Sequence, residues 1–169
     1  MSQIVLKLGD DISTDVIYPG RYMATVLPTE TPQFAFVDNV EFNTKLREKK
    51  IPHGSVLLAG KNFGCGSSRE QAVSTLKGHE LVIVARSFAR IFLQNAVNLG
   101  LRVITVPNIE ADEGDEIEVG EDIVIHKQSG KVYTIERLPS ARQAIINAGG
   151  LIQYTRRRLL QRSREAHTH

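Results

Sequence analysis

Between Gly60 and Glu70 the chain reads Gly-Lys-Asn-Phe-Gly-Cys-Gly-Ser-Ser-Arg-Glu, which places a thiol, two hydroxyls and a guanidinium within five consecutive residues. The chemistry such a set supports is anion binding. A helix N-terminus presents backbone N–H groups without partners, and hydroxyl and guanidinium donors beside them can converge on a carboxylate or phosphate. The run is not a P-loop, because no Lys-Ser/Thr pair follows Gly66, and not a dinucleotide fingerprint, because Arg69 stands where the third glycine belongs. A second reading competes: Ser67-x-x-Glu70 fits a capping box, in which the Ser67 hydroxyl merely satisfies the first helical turn. Arg69 weighs against it, since a guanidinium in the first turn opposes the helix macrodipole and an anion would relieve that opposition.

Other reactive side chains are less informative. Cys65 has a flanking helix N-terminus that would lower its pKa, yet no histidine is placed beside it, so it reads best as a small, half-buried thiol. The histidines at 53, 79, 126, 167 and 169 show no metal-ligand spacing, and none is assigned a role. Asp10-Asp-Ile-Ser-Thr-Asp15 places acids at turn positions, where Asp15 can orient a hydroxyl or an arginine or simply form an Asx turn. Tyr18-Pro-Gly-Arg-Tyr-Met-Ala-Thr25 follows, with Arg21 as a further candidate carboxylate ligand and a small apolar tip.

The elements that must position these residues are clearest in the middle of the chain. Ser55–Gly60, Leu81–Ala85 and Leu101–Val106 are short apolar runs bounded by turn residues, as buried strands are. Helical spacing over about Ser68–Lys77, and from a Ser87 cap to Gly100, separates them, giving β-α-β-α-β and hence a parallel sheet. Residues 40–50 suit a short helix ending before Pro52. Alternation over 115–119 and 122–138, with a turn at Gln128-Ser-Gly130, predicts antiparallel strands; Ser140 caps a last short helix that Gly149-Gly150 closes. The expectation is α/β: one compact domain over residues 1–154, with a parallel centre and an antiparallel hairpin, and a frayed basic tail over 155–169.

Composition narrows the class. One cysteine excludes a disulfide framework, and no run of about 18 apolar residues predicts a membrane span. The N-terminal residues lack the pattern of a signal peptide, so a cytoplasmic location is expected. The basic pI of 8.8 originates in residues 155–169, where five arginines face one acid; the other residues carry 16 bases against 18 acids. Glu110–Asp122 holds eight acids and no base, and reads as a solvated hairpin edge. Nucleic acid is therefore not the expected partner.

Together, Gly9-Asp-Asp-Ile-Ser-Thr-Asp15, Tyr18-Pro-Gly-Arg-Tyr22, Gly64-Cys-Gly-Ser-Ser-Arg-Glu-Gln-Ala72 and Ala85-Arg-Ser-Phe-Ala-Arg-Ile-Phe92 resemble the small subunits of the isopropylmalate isomerase (3-isopropylmalate dehydratase) family. These subunits are similar to the mobile swivel domain of the aconitase superfamily, and the likeness runs in order from about residue 4 to residue 150. The resemblance implies half of an enzyme. A separate large subunit carries a 4Fe-4S cluster on three cysteines, the swivel domain closes over it, and this chain itself binds no metal or cofactor. The implied reaction acts on a small dicarboxylic 2-hydroxy acid: water leaves, a cis-alkene forms, and water returns at the neighbouring carbon, converting 2-isopropylmalate to 3-isopropylmalate in leucine biosynthesis.

By that resemblance Ser67 corresponds to the general base and Ser68 and Arg69 to carboxylate ligands, with Asp15, Gly64 and Gly66 in support. Tyr22, Met23, Ala24 and Thr25 correspond to the specificity loop, and Ala24 stands where homoaconitase-type relatives place an arginine. An uncharged tip favours an alkyl substituent, because an extra carboxylate would lack a partner. Dimethylmalate or other alkylmalate hydro-lyases and homoaconitases remain alternatives. A non-catalytic anion- or RNA-binding module of the same fold is the alternative from another class. Residues 20–35 are expected to be mobile until the partner arrives.

Overall fold

Strand β2 (Val56–Ala59) is buried at all four positions, and so is β3 (Val82–Ala85). Both faces of these strands are covered, which is why their sequence is continuously apolar. In the computed structural model, which describes residues 1–167, they lie inside a seven-stranded sheet of order β4-β3-β2-β1-β5-β6-β7. Strands β1 (Ser2–Lys7), β2, β3 and β4 (Val103–Thr105) run parallel; β5 (Glu116–Val119), β6 (Ile123–His126) and β7 (Val132–Thr134) continue antiparallel from β1. The sheet curls far enough for Thr105 at one end to bridge Glu136 beyond the other.

Two cores follow from the period-two alternation of the strands. Leu57, Ala59, Ile83 and Ala85 point to one face and pack against the helices; Val56, Leu58, Val82 and Val84 point to the other and fill the curl with Ile117 and Val124. Ile4 and Leu6 ought to share a face, yet they belong to opposite cores. The register explains it: Ile4 pairs with Val56 and Leu6 with Leu57, so a bulge between them absorbs one residue and turns the side chains over.

The helices on the first face are α1 (Thr14–Ile17), α2 (Val40–Arg47), α3 (Glu70–Lys77), α4 (Arg90–Leu99) and α5 (Ser140–Asn147). Helix α3 buries Ala72, Val73, Thr75 and Leu76, and α4 buries Phe92, Ala96 and Val97. Gly100 ends α4 with φ +76°; a Cβ there would lie 2.4 Å from the Gly149 carbonyl carbon, so the α4 and α5 termini meet only because the residue is glycine.

The expected β-α-β-α-β centre is present, with three corrections at its edges. Helix α4 starts at Arg90 rather than after Ser87, and its N-cap, Ala89, has no side-chain bond. The Ser87 hydroxyl instead accepts the Asn62 N–H at 2.8 Å. Ser140 lies inside α5, whose N-cap is Pro139. The tail is not frayed over its described length: Leu151–His167 form helix α6, which touches α4 and α5 and has no buried residue. His169 lies outside the described residues.

Candidate active site

The loop after β2 is held from three directions. On one side the segment 9–14 runs beside it. Asp10 Oδ1 accepts the Lys61 N–H at 2.7 Å, Gly64 N–H donates to Ile12 O at 2.8 Å, and Thr14 N–H donates to Cys65 O at 2.8 Å. On the second side Phe63 stands edge-on to both Phe88 and Phe92, with centroids 6.1 and 5.2 Å away. Gly64, at φ +84°, lies so close to this cluster that a Cβ would come 2.2 Å from the Phe92 ring. From the third side, the buried Thr14 donates its hydroxyl to Ser67 O at 3.0 Å and Asn95 Nδ2 donates to Ser68 O at 3.4 Å. Gly66 adopts φ +94° between these anchors.

The backbone is therefore pinned while the side chains of Ser67 and Ser68 are exposed and make no hydrogen bond among the described residues. This corrects the capping reading. Helix α3 begins at Glu70, its N-cap is Arg69, and no side chain caps it. A hydroxyl that would have been spent on capping is free; the Ala72 N–H donates to Arg69 O at 3.3 Å, while those of Glu70 and Gln71 have no acceptor among the described residues. The helix start expected at Ser68 moves two residues downstream for the same reason.

Arg69 is the centre of the electrostatics. Its side chain is 16% exposed, and Nη1 donates to Asp15 Oδ1 at 2.8 Å and to Tyr18 O at 3.2 Å. Nε is buried without a partner, and Nη2 makes no hydrogen bond. Asp15 Oδ1 also accepts the Gly20 N–H at 2.9 Å. The Arg69 hydrogen bond, then that of Gly20, hold the Asp15 carboxyl below its usual 3.8, so it stays an anion and Arg69 stays oriented. Gly20 itself packs on the guanidinium, where a Cβ would lie 3.0 Å from Nη2.

Arg21, the other expected carboxylate ligand, is paired with an acid. Both of its terminal nitrogens donate to Asp38, Nη1 at 3.2 Å, and the guanidinium lies 4.8 Å from the Tyr22 ring centroid. Arg21 lowers the Asp38 pKa by this contact, and Asp38 raises that of Arg21. The charge of Arg21 is felt at Asp15, so the two acids and two arginines form one alternating cluster.

The segment expected to be mobile is anchored at several points. Tyr18, fully buried, donates its hydroxyl to Tyr22 O at 2.9 Å and Thr25 O at 3.2 Å, while Gln71 Nε2 donates to Met23 O at 3.2 Å. The loop tip at Tyr22, Met23, Ala24 and Thr25 is thus tied to α3, the helix that follows the two serines. Met23, Val26 and Leu27 are exposed. Thr14, Gln71, Asn95 and Asp38 were not singled out from the sequence; only Thr14 and Gln71 lie inside motifs that were. Their contribution is contact across 17 to 53 positions, for which spacing carries no signal.

Cys65 is half-buried. His126 is 8% exposed, with Nε2 at 2.7 Å from Asp115 Oδ2 and Nδ1 at 2.6 Å from Ser129 Oγ, a clamp across the β5–β6 hairpin. Among the described residues no three His, Cys, Asp or Glu side chains gather as metal ligands, and no helix is long and apolar enough to cross a membrane.

Comparison with known proteins places this geometry. The aconitase C-terminal domain matches residues 9–109, which span residues 10–15, 22–25 and 67–69. The 3-isopropylmalate dehydratase small subunit of Thermodesulfovibrio yellowstonii is 40% identical over 161 residues, covering 92% of this chain and 93% of the relative. Small subunit 1 of the same enzyme from Methanopyrus kandleri is 42% identical over 155 residues and covers 88% of each chain. The crystal structure of 3-isopropylmalate dehydratase from Methanocaldococcus jannaschii superposes with a TM-score of 0.86 at 36% identity, over 96% of this chain and 97% of that one. Its α/β fold is the one described above. A matching domain model over more than half the chain, and relatives this similar along nearly all of it, establish that the chain belongs to the aconitase C-terminal domain family, within the small subunits of 3-isopropylmalate dehydratase.

Proposed function

We propose that the chain is the small subunit of a heteromeric hydro-lyase that converts 2-isopropylmalate to 3-isopropylmalate by dehydration and rehydration, a step of leucine biosynthesis. The names of the relatives support this reading, and their designation as small subunits implies a large-subunit partner. The observation that carries the assignment of residues is the pair of free hydroxyls, Ser67 and Ser68, at the uncapped start of α3 beside a tethered arginine.

In this reading the Arg69 Nη2 and the Ser68 hydroxyl take a substrate carboxylate. Ser67 Oγ removes the proton on the neighbouring carbon. The C–H electron pair becomes the alkene bond as the hydroxyl leaves toward the partner subunit, and the reverse sequence at the adjacent carbon gives the isomer. A serine alkoxide is a strong base that water would quench, so its charge requires preorganised donors and an enclosed site. The open N–H groups of α3 supply donors, and docking of the large subunit supplies the enclosure. In this reading the iron–sulfur cluster belongs to that partner, since the one cysteine of this chain is too few thiolates to hold it. The uncharged tip at Ala24 fits an isopropyl group and offers nothing to a third carboxylate.

The test is to mix the chain with a cluster-loaded large subunit and follow the ultraviolet absorbance of the conjugated intermediate with isopropylmalate, homocitrate and dimethylmalate in parallel. Turnover of isopropylmalate by the mixture, and by neither subunit alone, is the expected result. Preference for homocitrate or dimethylmalate would overturn the substrate, and turnover of none would overturn the enzyme.

A further inference from the structure

Helix α6 leaves the body with an exposed apolar stripe. Ile152, Leu159 and Leu160 are 65%, 58% and 60% exposed, and Ile152 and Leu159 are separated by two helical turns on one face. Arg156 lies within this stripe, four residues after Ile152, and the other arginines lie to its sides; among the described residues no acid pairs with Arg156, Arg157 or Arg162. A helix that is apolar on its outward face and polar elsewhere is normally covered there. Helices α4 and α5 touch α6 without burying any of its residues, and Ile152, Leu159 and Leu160 stay exposed.

The complementary surface is on the same chain. On the outer face of the antiparallel strands, Glu118 pairs across to Ile125 and Ile125 to Val132, forming a row with Ile123 beside it. Val132 is 57% exposed and Ile123 39%, and no helix covers them. Acids rim this row. Between residues 110 and 137 there are nine acids against three bases, and two of the bases, Lys127 and Arg137, are already paired to Glu118 and Asp122. Glu116 and Glu121 are exposed and form no ion pair among the described residues. One surface is apolar with a basic rim, and the other is apolar with an acidic rim.

We propose that α6 is a docking arm for the outer face of β5–β6–β7 on a second copy of this chain. Each copy offers one arm and one acidic face, so a two-fold dimer satisfies both at once without exposing a further sticky surface. Pairing of one α6 with another is disfavoured, because it would bring two sets of five arginines together.

Charge reversal separates this arrangement from the alternatives, read by sedimentation velocity on the full chain. The wild type is expected to be a dimer in about 0.1 M salt and to dissociate toward about 1 M, where the Debye length falls from about 10 Å to about 3 Å. An arm variant, Arg156→Glu with Arg162→Glu, and a face variant, Glu116→Arg with Glu121→Arg, are each expected to weaken self-association by about tenfold or more. All four positions are exposed, and circular dichroism confirms that the variants fold. Mixing the two is expected to restore the dimer, since every arm then meets a face of opposite sign. Leu159→Ser tests the apolar part and is expected to weaken the dimer without changing its salt dependence. A wild-type chain that stays monomeric at low salt would overturn the proposal. So would a dimer that ignores either reversal, two variants that fail to associate when mixed, or a monomer whose arm binds RNA instead.

Discussion

At the scale of single residues the site works by separating what is held from what is free. Arg69 is held through Nη1 by Asp15 and Tyr18 O, while Nη2 and the hydroxyls of Ser67 and Ser68 are left to a ligand. Burying the Arg69 Nε without a partner costs stability, and the tether to Asp15 offsets it. A lysine has no second donor fixed in the plane of the first and cannot be held and offered at the same time. Arg69→Lys is therefore expected to raise KM by about 10- to 100-fold, with a smaller effect on kcat, measured by steady-state kinetics in the assembled heteromer. At this scale the sequence was only partly legible. The Ser-Ser-Arg-Glu spelling suits both a cap and a reactive loop. The structure removes the cap, because α3 begins at Glu70 with Arg69 as its N-cap and no side chain caps it. Arg21 could be recognised as an anion ligand by type, but Asp38, its partner 17 residues away, could not be read from spacing.

At the scale of elements, the loop after β2 depends on the aromatic cluster beneath it. Gly64→Ala would put a methyl into the Phe92 ring and force a side chain onto φ +84°. The expected cost is about 2–4 kcal/mol, seen as a lower midpoint in urea unfolding, with activity falling as Ser67 is displaced. The β5–β6 hairpin has its own clamp in Asp115, His126 and Ser129. The Asp112 backbone N–H, then His126, hold the Asp115 carboxyl below 3.8. An acid depressed in the folded state adds stability that is complete above its unfolded value and is lost as the pH falls through the folded one. Thermal unfolding of the wild type is thus expected to drop steeply below pH 3.8, and that of Asp115→Asn to be flatter there. The central strands were the most legible elements, because burial on both faces leaves an uninterrupted apolar run. The bulge in β1 was not legible: Ile4, Val5 and Leu6 are all apolar, and only the register shows which faces which core. The α6 helix was misjudged from its arginines, which suit a solvated end and an exposed helix equally well.

For the whole molecule, the curl of the sheet gathers β1, β2 and the loops that follow them into one rigid support, and the candidate site sits at its surface rather than inside it. Ser67 and Ser68 are exposed, and the segment opposite shows apolar side chains at Met23 and, just beyond residues 22–25, at Val26 and Leu27. A site that needs water excluded, built on a surface that cannot exclude it, is half of a site. In the proposed function, the base and carboxylate ligands of this chain therefore depend on a partner to enclose them. The central claim is that Ser67 is this chain's catalytic group, and the most direct measurement compares wild type and Ser67→Ala in the reconstituted heteromer with isopropylmalate as substrate. Loss of a positioned general base is expected to lower kcat by about 100- to 10,000-fold, with KM nearly unchanged because Ser68 and Arg69 still bind the carboxylate. A kcat within a few-fold of wild type, with the heteromer intact, would contradict the account.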